Sequence, residues 1–254
     1  MSFIRSEPFL SDQIHIYLMK FKKAPLIAYL CLLPFLLALG AWQLNRAEEK
    51  RALISLQAQR QSSEALLLSA TMPDLLEKCL YNQITAVGNY DGSHQFLLDN
   101  QVNKGRAGYF VLTPFRLKDE DKAVLVNRGW LPLGQSRLEL PDIKVDASEI
   151  TIAGRINRFP SVGLKLAGAE IPTDSWPAIV QVVNANVLSK QLDYPLFDFQ
   201  VELDPQAPNG YQRQWQEPHT MTPEKHLAYA VQWFLLAITL TVLFVKYGIN
   251  KKHD

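Results

Sequence analysis

Two stretches of the chain are apolar from end to end and carry no charged residue: 24–44 (APLIAYLCLLPFLLALGAWQL) and 227–245 (LAYAVQWFLLAITLTVLFV). At a rise of ~1.5 Å per residue, their 21 and 19 residues make helices about 30 Å long, the thickness of a bilayer's hydrocarbon core. A buried helix of a soluble protein is usually shorter and keeps a polar stripe, so the pattern predicts two transmembrane helices. Beyond the first, residues 45–68 hold no Pro or Gly and are good helix formers, so the helix is expected to run on. Pro73 is expected to open a short helix over 74–80.

The texture then changes to short runs of Val, Leu, Phe and Tyr separated by Gly, Asn and Asp. These predict strands at 83–88, 95–99, 109–116, 123–128, 149–157, 178–183 and 197–203. A turn over 89–93, with Gly92 at positive φ, is expected to join the first two strands. Asn184 or Asn186 is expected to cap a helix ending at Leu192. Residues 204–223, rich in Pro and polar side chains, read as an extended return to the membrane. The predicted fold is an α+β membrane protein: two transmembrane helices flanking one mainly antiparallel β external domain with a few helices.

Charge orients this layout. The chain has 254 residues and a formal net charge of +1, which argues against a nucleic-acid binder with a broadly basic surface. Residues 1–23 and 246–254 are each net +2, whereas the connecting 182 residues are net −3. Lys246, Lys251 and Lys252 follow the second span closely, while only Lys225 and Arg213 precede it, so the positive-inside rule puts its C-terminal end in the cytoplasm. The first span, with basic residues at both ends, follows from the second. The expected organisation is a cytoplasmic tail (1–23), a span (24–44), an external domain (45–226), a span (227–245) and a cytoplasmic tail (246–254). A cleaved signal peptide would be unusually long here, and Glu7 and Asp12 stand where a mitochondrial transit peptide avoids acids.

Candidate chemistry is sparse. Cys31 lies in the first span and Cys79 outside it, and no CxxC occurs, so neither a disulfide nor a thiol oxidoreductase is indicated. No nucleotide-binding or hydrolase motif is present, and no enzyme is predicted. His94 has no partner at metal-ligand spacing, and His219 with Met221 is too small a ligand set for copper. Asp119, Glu120 and Asp121, flanked by lysines, read as a solvated hairpin tip.

The entrance of the second span is more informative. Thr222-Pro223-Glu224 is a helix start, and His226 lies in its first turn with Tyr229 and Trp233 three and seven residues on. An imidazole with two aromatic rings at membrane depth could be an axial haem ligand between stacking walls, or an interfacial aromatic belt beside a polar histidine. Where the first span ends, Trp42, Gln43, Arg46 and Lys50 offer two cations that could hold carboxylates such as haem propionates, or could simply anchor the helix at the interface.

The string Trp42-Gln43-Leu44-Asn45-Arg46-Ala47-Glu48-Glu49-Lys50 resembles the exit of the first span in the surfeit locus protein 1 family. Gly88-Asn89-Tyr90, Leu98-Asp99-Asn100, Gly105 to Pro114 (GRAGYFVLTP) and Val126 to Pro132 (VNRGWLP) follow in the family's order. Residues 223–234 (PEKHLAYAVQWF) are similar to its P-x-[RK]-H-x-x-Y-A-x-Q-W-F. Arg128-Gly129-Trp130 reads as a strand end with a tight turn and a buried Trp, and residues 161–176 match little of the family pattern, which leaves any specialised role there open.

The resemblance implies an assembly factor, not an enzyme, of the bacterial inner membrane, with a periplasmic domain and both termini cytoplasmic. Its implied role is to bind or hand over haem a during maturation of the catalytic subunit of haem–copper cytochrome c oxidase. By the same resemblance His226 is implicated in binding haem a, and it is expected to be the axial ligand. Tyr229 and Trp233 would wall the pocket, and Arg46 and Lys50 would meet the propionates. The implied partners are that subunit, haem a synthase and the lipid bilayer. The alternative is a membrane scaffold or chaperone for oxidase subunit I that never touches haem.

Overall fold

A computed structural model describes residues 23–70, 76–134, 139–161, 163, 166–215 and 221–248. The expectations for His219, for the basic residues of the two tails other than Lys23 and Lys246, and for the start of the 74–80 helix lie outside these residues. The chain divides into two compact units, 1–52 with 219–254, and 53–218.

In the first unit the two apolar segments are helices. Helix α1 spans Lys23–Gln61 and helix α4 spans Pro223–Leu243, continuing into a π-helical turn, Phe244–Gly248. Only 6% and 11% of their most apolar stretches are buried, which a soluble core helix could not tolerate and a lipid-facing helix requires. Pro34 sits inside α1, as transmembrane helices allow.

The shielded positions recur at alternating steps of three and four: Leu26, Tyr29, Leu33, Leu36, Gly40, Gln43 and Ala47 on α1, and Pro223, His226, Ala230, Trp233 and Ala237 on α4. That 3.5-residue repeat is the seam of a left-handed helix pair. Cross-contacts set its direction. Tyr29 stacks on Phe244 at 4.3 Å between ring centroids and its hydroxyl lies 3.2 Å from Thr241 Oγ1, while Gly40 faces Phe234 and Gln43 meets His226. Rising numbers on α1 meet falling numbers on α4, so the helices run antiparallel. A Cβ on Gly40 would sit 2.7 Å from the Phe234 ring, so the close approach depends on a residue with no side chain.

In the second unit eight strands form one sheet. They are β1 (Leu66–Leu67), β2 (Gln83–Tyr90), β3 (Phe96–Asn103), β4 (Arg106–Leu117), β5 (Ala123–Pro132), β6 (Ile150–Asn157), β7 (Ala178–Val180) and β8 (Leu196–Leu203). Helices α2 (Leu76–Cys79) and α3 (Ala185–Leu192) complete the unit. Five strand pairings are antiparallel, and β1–β2, β3–β7 and β5–β8 are parallel.

Because β4 pairs with β2 as well as with β5, the strands β2, β6, β8, β5 and β4 close into a ring. Alternate residues fill it, among them Ile84, Ala86, Tyr90, Phe115, Val124, Val126, Ile152, Ile156 and Val201. The closure needs Gly88, where a Cβ would lie 2.0 Å from the Arg116 carbonyl oxygen. Outside the ring, Leu188 and Leu192 of α3 pack on Phe96, Leu98, Leu112 and Leu125. The Asn184 side chain caps α3 by accepting from the N–H groups of Asn186 and Val187, one of the two alternatives that the sequence offers.

Several local expectations change. Helix α1 ends at Gln61, not near Leu68: Ser62 Oγ donates to the carbonyls of Ala58 and Gln59, and Ser63 Oγ to that of Arg60. These hydroxyls satisfy the last free carbonyls, and Leu66 and Leu67 then pair with Ile84 and Thr85. Residues 89–93 make no hairpin. Strands β2 and β3 lie one after the other along the same edge of β4, with Tyr90 opposite Phe115 and Phe96 opposite Leu112. Residues 91–95 bulge out between them, and Gly92 does not take a positive φ.

The Asp91 carboxylate holds this bulge by accepting from Ser93 N at 3.2 Å, His94 Nδ1 at 2.8 Å and Tyr194 Oη at 2.9 Å. The 118–122 tip between β4 and β5 is a solvated hairpin, as its charges indicate, with Lys118 paired to Glu149 at 2.9 Å. Strand β5 runs on to Pro132, so Arg128-Gly129-Trp130 is not a strand end. Gly129, at φ 113°, forms a bulge where the β4–β5 register shifts.

Two outcomes test this packing. Gly40→Val should destabilise the helix pair by about 1–3 kcal/mol through overpacking. Adding Phe234→Ala should recover part of the loss, read as the thermal midpoint of the detergent-solubilised chain. Burial pushes the Asp91 carboxyl up, but the hydrogen bonds from His94 and Tyr194 outweigh it and hold the group below its ordinary 3.8. A depressed acid contributes stability above its unfolded pKa and loses it as pH falls through the folded value. Asp91→Asn should therefore cost about 1–2 kcal/mol at pH 7. The difference from wild type should close below pH 3.8, measured by urea unfolding across pH.

Candidate functional site

A helix start, an imidazole and an amide make up the site in the helix pair. Thr222 is the N-cap of α4, its hydroxyl accepting from Lys225 N at 3.4 Å, and Pro223 follows at the first helical position, where its missing N–H costs nothing. This start holds His226 in the first turn of α4, 6% exposed. On α1, Gln43 is 8% exposed. His226 Nδ1 and Gln43 Oε1 are 2.7 Å apart, a hydrogen bond across 183 residues of sequence.

The flanking residues explain how two polar side chains meet there. Gly40 and Ala47 lie three before and four after Gln43, and Ala230 lies four after His226. These small residues let the backbones approach closely enough for a short amide to reach the ring. An unpaired polar group in this setting would cost about 1–3 kcal/mol, so each side chain holds the other in place.

An amide oxygen only accepts, so in the neutral ring the proton that meets it is the one on Nδ1, and that tautomer leaves the lone pair on Nε2. Nε2 pairs with no group among the described residues. That is the arrangement of a ligating histidine whose second nitrogen is anchored by an outer partner, so the residues present fit a metalloporphyrin iron approached through Nε2.

The other predicted residues are placed less closely. Tyr229 is 43% exposed on the outward side of α4, and Trp233 is half-buried. They share α4 with His226, but only Trp233 lies near the seam, because three and seven residues correspond to different angles on a helix. Arg46 is exposed, paired with Glu49 at 2.7 Å and 5.8 Å from the centre of the Trp42 ring. Lys50 is half-buried on the seam side of α1. Arg46 and Lys50 lie one and two turns beyond Gln43 on the same helix.

The sheet domain holds a second polar cluster, which its sequence did not reveal. Arg128, 2% exposed, donates through Nη1 to Gln95 Oε1 at 2.8 Å and to the Ile143 carbonyl at 3.0 Å, and through Nε to the Asn209 carbonyl at 2.6 Å. Its guanidinium carbon lies 5.7 Å and 5.1 Å from the ring centres of Tyr90 and Tyr211. Burial lowers the Arg128 pKa and raises that of Tyr90 to about 12, the latter partly offset by Arg128 and Arg213. Carbonyls and aromatic faces stand where a carboxylate would be expected, and they tie segments 95, 128, 143 and 209 together. Trp130 beside it is buried, as the sequence indicates, and donates Nε1–H to the Gln101 carbonyl at 2.9 Å. Among the described residues no group of three His, Cys, Asp or Glu could hold a metal ion.

Comparison with known proteins agrees with the motif order. The family model described as "SURF1 family" matches residues 30–238. A "SURF1-like protein" of Rickettsia felis is 25% identical over 225 residues, covering 85% of this chain and 92% of the relative. A "SURF1-like protein" of Drosophila melanogaster is 32% identical over 148 residues, covering 48% of this chain and 49% of the relative. The "Cytochrome oxidase assembly protein SHY1" of Saccharomyces cerevisiae is 30% identical over 94 residues, 37% of this chain and 24% of that protein. With the family model spanning both membrane helices and the sheet domain between them, this chain belongs to the SURF1 family.

Proposed function

We propose that this chain is an assembly factor for haem–copper cytochrome c oxidase that holds haem a for the catalytic subunit, with His226 as axial ligand. Family membership and the similarity to a yeast cytochrome oxidase assembly protein support the assembly role. The observation that carries the haem reading is the buried imidazole of His226, anchored at Nδ1 within the apolar helix pair and with Nε2 unpaired among the described residues.

In this reading the protein lies in a bacterial inner membrane with its sheet domain periplasmic and both termini cytoplasmic, as the lysines after α4 favour. The chain carries out no bond-making step. His226 supplies one ligand, Trp233 and Tyr229 supply aromatic surface, and Arg46 and Lys50 supply positive charge for propionates. Arg46 would have to exchange its partner Glu49 for that role. A single protein ligand suits a cargo that must be released, because the receiving subunit can displace one bond at a time. Haem a synthase is the corresponding donor.

A haem-independent scaffold for oxidase subunit I is favoured by one observation: a His226–Gln43 bond this buried also clasps two helices together. One experiment separates the two readings. The full chain is purified in detergent from cells that make haem a, beside His226→Ala, and the optical spectrum is recorded. The haem reading expects a haem a spectrum in the wild type and at least a tenfold lower occupancy in the variant, with the thermal midpoint reporting that the fold persists. A haem-free wild type that still co-purifies with subunit I would replace it with the scaffold.

A further inference from the structure

We infer that Gln43 is a positioning residue for His226: its amide oxygen fixes the imidazole in the Nδ1–H tautomer and aims Nε2 at the iron. The inference rests on the haem reading above and adds to it a residue on the other helix.

The geometry supports it at three points. The bond is short, 2.7 Å, and both partners are nearly buried, so water does not compete for either. The acceptor is an oxygen, so the proton it binds must sit on Nδ1, although free imidazole side chains favour Nε2–H. The partner comes from α1 while the ligand comes from α4, so ring orientation is coupled to the packing of the pair. Gly40 and Ala47 keep Gln43 within reach. An outer partner of this kind raises the basicity of the ligand and restricts its rotation. A neutral amide does this less strongly than a carboxylate, which suits a ligand that must later let go.

The test uses the full chain in detergent as wild type and as three variants, His226→Ala, Gln43→Leu and Gln43→Glu. Haem a occupancy by optical titration and the midpoint potential of the bound haem are read for each. Nitrogen-15 shifts of labelled histidine in the haem-free protein report the tautomer, with His226→Ala assigning the signal. The expected results are Nδ1–H in the wild type, a shift toward Nε2–H in Gln43→Leu, and haem affinity about 10- to 100-fold weaker in that variant.

Gln43→Glu should retain haem and lower its midpoint potential, because a carboxylate acceptor gives the ring more imidazolate character and favours ferric iron. The new carboxylate also favours ferric iron by its charge alone, so the potential counts for the positioning role only together with Nδ1–H in the wild type. Haem bound to Gln43→Leu with wild-type affinity and potential would overturn the inference and leave His226 as ligand. Haem retained by His226→Ala, or absent from the wild type, would overturn the haem reading itself and the inference with it. Should Gln43→Leu fail to fold, Nε2–H in the wild type is sufficient to reject the positioning role, and Nδ1–H with the lowered potential of Gln43→Glu sustains it.

Discussion

A polar side chain inside an apolar helix pair has to find its partner within that pair, and this constraint organises the membrane part of the protein. Gln43 and His226 satisfy each other at 2.7 Å. The seam around them is built from residues small enough to permit it: Gly40 and Ala47 on one helix, Ala230 and Ala237 on the other. Small residues bring the backbones together, proximity makes the hydrogen bond possible, and the hydrogen bond fixes the register of the two helices. Stacking of Tyr29 on Phe244 supports the same register near the other end of α1.

The sheet domain meets a related constraint by different means. Closing five strands into a ring pairs an edge of β2 with an edge of β4, and it forces β2 close to the backbone of β4 at Gly88. At one place in this domain a guanidinium is buried with backbone carbonyls and tyrosine rings as its surroundings. Arg128 draws together segments far apart in sequence, including the 91–95 bulge through Gln95. A residue that reads as part of a turn motif is therefore a structural centre of the domain.

The proposed haem role rests on the helix pair and not on the sheet. The family gives the biological setting, and the buried imidazole gives the chemistry a place: one ligand, one ring nitrogen anchored, the other unpaired among the described residues. In the proposed reading, a single ligand held by a neutral amide is suited to holding a cargo and releasing it, rather than to keeping it. The same bond, read only as a clasp, describes a scaffold, and the difference lies in what reaches Nε2.

Much of this was legible in the sequence because it depends on local pattern. Charge-free length predicts the two spans. Alternation and turn residues locate most strands, Asn184 caps its helix, and motif order indicates the family. His226 stood out through the family motif, since its spacing alone fits an interfacial aromatic belt equally well. What the sequence left open depends on partners far along the chain. Residues 89–93 look like a hairpin turn locally, yet β4 offers one edge to both β2 and β3, so the chain bulges instead of reversing. Gln43 was visible as part of a motif, but nothing local pairs it with a residue 183 positions away. Arg128 likewise became buried only through carbonyls contributed by distant loops. Periodicity records which face of an element is apolar. Which two faces meet is decided by packing, and here only the tertiary structure brings the amide to the imidazole.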